Sequence, residues 1–337
     1  MPLRDLISGA RPAENAQGAV TVVYFTVYGP GTSRNHPWSK CAITMHKHSF
    51  TLGRPDIMRI GYCSWGMMKV DIEDVVPAVA GIGYHGLELA VTPGWPTALE
   101  TLDAAKRRRI AELLDQYNLV LTGVAGHTSM CELDADKNAA NMQRLRDTID
   151  LTAELAQEGE PSIMASLAGG REDEWDSKKE LLAERVQALG DYAAEHGVIL
   201  AVEPHCGTVL DLPERAIWLM EAVNHPSVRL NFDISHFDIR GIAIDDCVPQ
   251  IVPWSLSTHV KDQRGIYPNH EFMTPGSGPF DFVHYLDAMH LAGYTGFIGM
   301  EVSVMVQRKP GYDPFVDAAL GYYALRHAFN FSGAPLG

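Results

Sequence analysis

Residues 198–205 read V-I-L-A-V-E-P-H, an apolar run of five residues followed directly by Glu203 and, after a proline, by His205. Five consecutive apolar residues, three of them β-branched, are typical of a strand buried on both faces of a parallel sheet. A second strand-like run, V-R-L-N-F-D, begins 30 residues further on and also ends in a carboxylate. The segment between them has helical period, so this part of the chain predicts a strand, a crossover helix and a parallel strand.

The same alternation of strand and helix continues over the chain from Arg59 onward. Eight repeats predict a (β/α)8 barrel, which typically needs ~250 residues. The alternative is a doubly wound open sheet, but Gly81-Ile82-Gly83 ends a helix candidate and lacks the third glycine of the G-x-G-x-x-G fingerprint. The strand candidates are Arg59–Trp65, Gly86–Val91, Leu119–Ala125, Ser162–Leu167, Val198–Glu203, Val228–Asp233, Ser257–Val260 and Gly296–Val302. The helix candidates are 71–82, 102–117, 136–158, 176–196, 213–224, 242–251, 281–292 and 313–329.

Residues 1–56 do not share this alternation. They are rich in Gly, Pro, Ser and Asn around a single apolar stretch, Ala19–Tyr28. We therefore predict an N-terminal extension over 1–56 and a catalytic barrel over 57–337. An extension with one apolar run cannot form a core of its own, so we expect that run to be buried on the barrel or on another chain, and we predict an oligomer.

The composition excludes several classes of protein. Of the 337 residues 46% are hydrophobic, and 27 basic against 42 acidic side chains give a formal charge of −15, so the chain is neither disordered nor fibrous. No apolar run approaches the ~20 residues of a membrane-spanning helix, so no membrane partner is predicted. The net negative charge repels a phosphate backbone, and the basic cluster 106–109 is interpreted as a solvated helix face, so nucleic acid is not a predicted partner either.

The cysteines argue against a disulfide framework and against a zinc ribbon, because they are scattered, odd in number and never in a C-x-x-C pair. Cys206, beside His205, is interpreted as a packing residue. The chain begins Met-Pro-Leu-Arg-Asp, without the charged and apolar segments of an export signal, so a cytoplasmic location is predicted. The five cysteines are Cys41, Cys63, Cys131, Cys206 and Cys247.

Acidic and imidazole side chains stand at the ends of four successive strand candidates. In a (β/α)8 barrel the carboxyl ends of the strands meet at one open mouth, where catalytic groups lie. A single glutamate there is ordinarily a salt-bridge partner, but four such residues in a row predict a metal site. Its oxygen and nitrogen atoms favour Mn²⁺, with Mg²⁺ or Co²⁺ as alternatives, over a thiolate-rich structural zinc site. The four predicted ligands are Glu203, Asp233, His259 and Glu301.

The motifs around these residues resemble the xylose isomerase-like barrel superfamily, often called sugar phosphate isomerases/epimerases, over about residues 59–330. The resemblance implies a (β/α)8 fold and matches Glu203, Asp233, His259 and Glu301 to the family's metal ligands. It also matches His236 and Arg264 to positions that contact substrate oxygens, and Glu88 to a recurrent acidic position of the mouth. The motifs are V-E-P-H at 202–205, F-D-I-S-H at 232–236, H-V-K-D-Q-R at 259–264, P-G-S-G-P-F-D-F at 275–282 and M-E-V at 300–302.

Three further residues of the mouth are candidates for substrate binding. His127 follows the third strand and Lys261 the seventh, while Trp65 is a candidate for stacking on a sugar or an aromatic aglycone. One branch of the superfamily is a DNA-repair endonuclease with three zinc ions. The fourth strand here ends in Ser166-Leu167-Ala168-Gly169-Gly170, without a further ligand, so the branch with one metal ion remains.

The resemblance implies chemistry at a proton next to a sugar carbonyl. A divalent cation that chelates the carbonyl and a neighbouring hydroxyl of a keto-sugar stabilises the developing enediolate, while a basic side chain removes the α-proton. In the epimerase branch two ligand glutamates serve as acid and base, a role that falls here to Glu203 and Glu301. A phosphorylated substrate is disfavoured, because no phosphate cradle accompanies Lys261 and Arg264.

His205 departs from the epimerase pattern. An imidazole two residues after the first ligand is similar to the large (alpha) subunit of C-glycoside deglycosidases, which act on a 3-oxo sugar, remove the proton at C2 and expel the aglycone by β-elimination. With an ordinary pKa of ~6.5, His205 can act as a general base at neutral pH. The alternative interpretation is a residue that orients a ligand carboxylate.

The leading hypothesis is therefore a metal-dependent enzyme that cleaves a 3-oxo-glycoside by β-elimination. A ketose 3-epimerase or aldose–ketose isomerase uses the same site and is the alternative, whereas a non-catalytic sugar-binding subunit would not require the full set of ligands. The predicted partners are a small-molecule sugar or glycoside and a small second subunit of a hetero-oligomer. We expect a neighbouring subunit or the long loop near 262–280 to cover the mouth and exclude water.

Overall fold

The computed structural model describes residues 57–337 in full and the backbone of two strands before them. The chain divides into two units, Met1–Pro55 and Asp56–Gly337. In the first unit, β1 (Ala19–Val27) pairs antiparallel with β2 (Ile43–Thr51). β1 coincides with the predicted apolar run, whereas β2 was not predicted because 43–51 lacks a regular alternation of apolar and polar residues. The rest of the extension, including Cys41, lies outside the described residues.

The second unit is the predicted (β/α)8 barrel. Eight parallel strands close in the order β12-β3-β4-β5-β6-β7-β8-β9, which confirms the fold class and excludes the open sheet. The barrel strands are β3 (Arg59–Cys63), β4 (Gly86–Ala90), β5 (Val120–Ala125), β6 (Ile163–Leu167), β7 (Ile199–Glu203), β8 (Val228–Asp233), β9 (Ser255–Val260) and β12 (Phe297–Met300). A separate hairpin, β10 (Asp262–Ile266) and β11 (Asn269–Met273), follows β9.

The helices that connect these strands begin where the sequence places capping residues. Asp103, Asp134 and Asp281 each accept the backbone N–H of the residue three positions on, which satisfies a free donor of the first turn. Gly83 follows the last residue of α1, and its φ of 117° favours glycine. The helices are α1 (Ile72–Ile82), α2 (Ala104–Gln116), α3 (Ala135–Glu154), α4 (Trp175–Glu195), α5 (Pro213–Val223), α6 (Ile234–Asp238), α7 (Ile244–Ile251), α8 (Phe282–Leu291), α9 (Val304–Gln307) and α10 (Pro314–Phe331). Among the described residues, none of them has the length and apolar composition required to cross a membrane.

The barrel interior contains an apolar cluster and a group of buried charged side chains. Four buried alanines of β4 to β7 form the cluster with Ile163, and Trp65 and Trp95 pack against it. Buried charged and polar side chains lie at the ends of β7, β8, β9 and β12. The interior therefore offers both an apolar surface with aromatic side chains and a site suited to holding charge. The alanines are Ala90, Ala125, Ala165 and Ala201.

The hairpin β10–β11 lies in the segment that the sequence predicts only as a long loop. Its first residue, Asp262, is fully buried and accepts the backbone N–H groups of Gly276, Gly278 and Phe280 at 3.0, 2.8 and 3.2 Å. A Cβ at Gly278 would lie 2.3 Å from Asp262 Oδ1, so this position requires glycine. Asp262 thus fixes the return of the chain from the hairpin to α8.

Asp262→Ala is expected to lower the free energy of unfolding by about 3 kcal/mol, because three backbone donors lose a charged acceptor at once. The matched control is Asp281→Ala, which removes an exposed cap that accepts a single N–H and should cost about 1 kcal/mol. Urea denaturation of both variants measures the difference. Equal losses for the two variants would show that Asp262 does not anchor the loop.

Candidate metal centre at the barrel mouth

The structure brings the four predicted metal ligands together. Their ligand atoms, three carboxylate oxygens and one imidazole nitrogen, all lie within 4.8 Å of one another. They come from the ends of β7, β8 and β9 and from the residue after β12, strands that are neighbours in the barrel. All four residues, Glu203, Asp233, His259 and Glu301, are at most 8% exposed.

Two basic side chains neutralise part of this buried negative charge. Lys261 Nζ donates to Asp233 Oδ2 and lies 3.1 Å from Glu301 Oε1. His236 Nε2 lies 3.3 Å from Asp233 Oδ2 and 3.6 Å from Glu203 Oε1. Burial alone would raise the pKa of Asp233, but Lys261 and His236 outweigh it and hold the pKa well below its ordinary value. Asp233 is therefore ionised at neutral pH, as a metal ligand must be.

His259 is oriented toward the centre by a carboxylate behind it. Its Nε2 lies 3.1 and 3.2 Å from the two oxygens of Glu88, so Nε2 carries the proton and donates it to that carboxylate. Its Nδ1 faces the centre, 3.1 Å from Glu301 Oε2. Cys63 Sγ donates to Glu88 Oε1 at 2.9 Å and holds the carboxylate in turn. Histidines that bind metals commonly have their second nitrogen bonded in this way.

The residues present fit a divalent cation. Three buried carboxylates and one imidazole nitrogen converge on a common point, and the imidazole has the orientation that a ligand requires. A set with three oxygens and one nitrogen suits Mn²⁺, Mg²⁺ or Co²⁺ better than it suits a thiophilic ion.

His205 lies beside this centre, with its ring centroid 3.7 Å from that of His236. Its Nδ1 donates to the backbone carbonyl of Cys206 at 2.7 Å. Burial lowers the pKa of His205 to about 3, and the neighbouring His236 acts in the same direction. The ring is therefore neutral at pH 7, the form that accepts a proton, but it is a weaker base than its ordinary pKa of ~6.5 implies.

The remaining predicted residues divide into those near the centre and one away from it. Lys261 and Glu88 are part of the centre, although Glu88 contacts His259 and Cys63 rather than standing free in the mouth. Trp65 lies 5.3 Å from the ring of His127, whose buried Nδ1 has no hydrogen-bond partner within the described part of the chain. Arg264, in contrast, is 61% exposed and pairs with Glu271 across the hairpin, so the structure does not bring it to the centre.

Comparison with known proteins places the chain in a family. The sequence family described as Xylose isomerase-like TIM barrel matches residues 76–316, more than two thirds of the chain. The chain belongs to this family. The match agrees with the closed barrel and with the resemblance of the strand-end motifs.

Three known proteins that are similar to this xylose isomerase-like barrel give useful comparisons. An inosose dehydratase of Geobacillus thermodenitrificans (strain NG80-2) is 29% identical over 145 residues, 39% of this chain and 47% of that protein, so the chain spans about half the length of the curated relatives it matches. The 3-keto-D-glucoside 4-epimerase of E. coli has a TM-score of 0.65 at 15% identity, covering 80% of this chain and 99% of that one. The IOLI protein, whose structure contains a bound zinc atom, has a TM-score of 0.68 at 16% identity, covering 80% and 98%.

Two residues of this xylose isomerase-like barrel belong to the site although the sequence did not single them out for it. Asn231 is fully buried, donates to Glu203 Oε2 at 3.3 Å and lies 3.2 Å from His259 Nδ1. Asn231 is two residues before Asp233, so both share the inward face of β8, and a polar residue at that position was the available signal. Cys206 Sγ lies 3.3 Å from His236 Nδ1, so Cys206 contacts a polar residue of the site as well as packing in the interior.

Proposed function

We propose that the chain is a divalent-metal-dependent enzyme that removes a proton next to the carbonyl of a keto-sugar. The observation that carries the proposal is the buried set of four ligand atoms within 4.8 Å of one another, with the neutral ring of His205 beside it. Neither surface ion pairing nor packing requires three carboxylates to converge in the interior. A non-catalytic sugar-binding subunit would need neither this set nor a neighbouring base.

For the cofactor we propose one divalent cation, Mn²⁺ in first place with Mg²⁺ or Co²⁺ as alternatives. Glu203, Asp233, His259 and Glu301 would hold it. The zinc atom in the IOLI structure supports a divalent ion in a barrel of this fold. When bound, the cation supplies Lewis-acid polarisation of the sugar carbonyl.

In a β-elimination, His205 and His236 would have different roles. In a 3-oxo-glycoside, His205 would take the proton from C2, and the electrons of that C–H bond would form the C1–C2 double bond. The C1–aglycone bond would break, and its electron pair would leave with the aglycone, which then takes up a proton from solvent. Burial lowers the pKa of His236, but its polar neighbours, foremost the negative charge of Asp233, together outweigh burial and raise this pKa to about 9. His236 is therefore positively charged at neutral pH. Because its ring lies beside that of His205, with centroids 3.7 Å apart, a hydrogen bond from His236 would stabilise a substrate oxygen that gains negative charge.

The relatives support this choice of reaction and substrate. A dehydratase removes water, which is an elimination, and the epimerase of the same fold acts on a 3-keto-glucoside. The alternative is a ketose 3-epimerase or aldose–ketose isomerase, in which Glu203 and Glu301 exchange the proton. The contact of Glu203 with His236 favours it, because His236 could replenish a proton on that carboxylate.

Turnover assays with Mn²⁺ on 3-oxo-O-glycosides, 3-oxo-C-glycosides and free ketoses test the proposal. Release of the aglycone with an unsaturated sugar identifies elimination, whereas exchange of a substrate proton with solvent and inversion at one carbon identifies epimerisation. Proton exchange at no carbon of any of these substrates would contradict the proposed enolisation.

Glu88→Gln is expected to weaken Mn²⁺ binding about 10- to 100-fold, because the amide can no longer accept the His259 proton as a carboxylate does. The matched control is Glu73→Gln, which removes a surface glutamate paired with Arg109 and should leave the Kd unchanged. Isothermal titration calorimetry measures both values. An unchanged Kd in Glu88→Gln would exclude a role for Glu88 in orienting the ligand.

For partners we propose a small-molecule sugar or glycoside and an oligomer, with a second subunit in a hetero-oligomer as one form. Deleting residues 1–56 is then expected to lower the mass of the assembly, because the extension carries an apolar run without a core of its own. Light scattering measures the mass, and a thermal melt of the truncated chain serves as the folding control. A truncated chain with the same mass and melting temperature would contradict a role of the extension in assembly.

A further inference from the structure

A second group of metal-ligating side chains lies next to the proposed centre but is not part of it. His205, Cys206 and His236, the thiol–imidazole cluster, offer two ring nitrogens and one sulfur within 4.8 Å of one another. Cys206 Sγ lies 3.3 Å from His236 Nδ1, and the two imidazole rings are 3.7 Å apart. Cys206 is 8% exposed and His236 is 1% exposed.

Each histidine of this cluster has one ring nitrogen engaged by oxygen atoms, which leaves the other nitrogen for an ion. His205 Nδ1 is 2.7 Å from the Cys206 carbonyl, which can only accept, so the lone pair of the neutral ring is on Nε2. His236 Nε2 faces the carboxylates of Asp233 and Glu203, whereas Nδ1 faces the sulfur and is therefore the nitrogen that gives up its proton when an ion binds. Ligand histidines in metal sites are oriented by such outer bonds.

The surroundings of the sulfur also suit a bound ion. Cys206 packs with Ile239 and Phe272 in an apolar cluster that Tyr267 of the hairpin covers. An apolar shell limits solvent access to a metal–thiolate bond. Three ligands with an open fourth position are typical of zinc sites that retain an exchangeable ligand.

We propose that the thiol–imidazole cluster is a separate site for a thiophilic divalent ion of the Zn²⁺ class. Binding forms bonds from the ion to the Cys206 sulfur and to one nitrogen of each histidine, and both the thiol proton and the second proton of the His236 imidazolium pass to solvent. The neighbouring oxygen-rich centre selects harder ions, so the two sites differ in the metals that they prefer.

Binding at this site has a consequence for catalysis, which rests on the proposed function. A His205 nitrogen that is bonded to zinc cannot accept a proton, and His236 can no longer turn toward a substrate oxygen. Zinc is therefore an inhibitor of the manganese-loaded enzyme, and its inhibition is relieved by removing Cys206.

Cobalt(II) spectroscopy tests the binding without any need for turnover, because a thiolate bound to Co²⁺ gives a near-ultraviolet charge-transfer band that oxygen and nitrogen ligands do not give. The full-length protein is loaded with Mn²⁺ and then titrated with Co²⁺. The band is expected in the wild-type chain and in the matched control Cys131→Ala, whose thiol is also buried but lies in another part of the barrel. It is expected to be absent in Cys206→Ala.

Further variants keep the test decisive. Cys63→Ala checks the other thiol that lies near a histidine of the mouth, and it should retain the band. His205→Ala keeps the thiol but should weaken Co²⁺ binding at least tenfold. It therefore tests the same site independently if Cys206→Ala does not fold. Loss of the band in Cys63→Ala and not in Cys206→Ala, or no thiolate band in the wild-type chain, overturns the proposal.

The inhibitory consequence is measured in the turnover assay at saturating Mn²⁺. One equivalent of Zn²⁺ is expected to lower the wild-type rate at least tenfold, and to change the rate of Cys206→Ala less than twofold relative to its own zinc-free rate. Equal inhibition of both chains overturns the inhibitory role. A chain that shows the cobalt band but no turnover on any substrate retains the binding site and contradicts the proposed function instead.

Discussion

Asp233→Asn is expected to lower kcat by about 1000-fold and to release the bound cation. The Lewis-acid contribution of a metal ion is several kcal/mol of transition-state stabilisation, and each ~1.4 kcal/mol is tenfold in rate. Asp233 is fully buried at the end of β8, and an amide at this position contributes no negative charge to the cation. Metal analysis of the purified chain and steady-state kinetics at saturating Mn²⁺ measure the two losses together.

The matched control is Asp176→Asn, an aspartate of α4 that is 95% exposed and should leave both quantities unchanged. Because the Asp233→Asn substitution also leaves Lys261 with one carboxylate fewer, a thermal melt must show that the variant is folded at the assay temperature. A folded variant that has lost its cation and still turns over at the wild-type rate would exclude metal chemistry at this site.

His205→Ala is expected to lower kcat at least ~100-fold while the metal content stays unchanged, as the loss of a general base does. His205 contacts the Cys206 backbone, and its ring is tilted by 38° against that of His236, so neither contact involves one of the four proposed metal ligands. Glu203→Gln, in contrast, should lower both rate and metal content, because Glu203 is a proposed ligand. The pair of variants therefore separates the base from the ligand.

The surface variant His196→Ala controls for the loss of an imidazole, since His196 stacks on Tyr192 at the end of α4, away from the barrel mouth. If His205→Ala keeps full activity and full metal content, the proton must be exchanged by the glutamates, and the epimerase mechanism gains support. If it loses metal in proportion to activity, His205 orients a ligand instead of acting as the base.

Most of the barrel was predictable because its strands are short apolar runs that end at abrupt changes of polarity. β7 and β8 end at Glu203 and Asp233, where the sequence places those changes. The predicted strand Arg59–Trp65 is two residues too long, because Ser64–Met67 forms a turn of 3₁₀-helix that the apolar content of the segment conceals. The helix predicted over 136–158 is also too long at its end, because its helical period continues to 158 whereas α3 ends at Glu154.

The hairpin β10–β11 could not be predicted from local sequence. Its strands alternate poorly, with Asp262 and Gln263 both buried and the next three residues exposed. The first residue of the hairpin, Asp262, is held by a loop more than ten residues later, a contact that local sequence does not reveal. The pairing of the two strands explains why Arg264, five residues after a predicted ligand, lies against Glu271 on the surface.

The identities of the candidate ligands were predictable from strand ends, but the second layer of contacts was not. The pairing of Glu88 with His259 joins β4 to β9, across the barrel, and no spacing in the sequence records that distance. The inward position of Asn231 on β8 was predictable, but its contacts with Glu203 and His259 were not, and the same holds for the contact of Cys206 with His236. Such contacts follow from closure of the barrel and not from any local pattern.

The spread of the four candidate ligands along the chain bears on the order of events during protein synthesis. Glu203 and Glu301 are separated by about 100 residues, and Glu301 follows the last barrel strand. A nascent chain emerges from its amino end, so the first ligand leaves the ribosome well before the last one is made. The full set of proposed donors therefore exists only after β12 has been made, so a cation held by all four of them cannot serve as a template for the earlier strands.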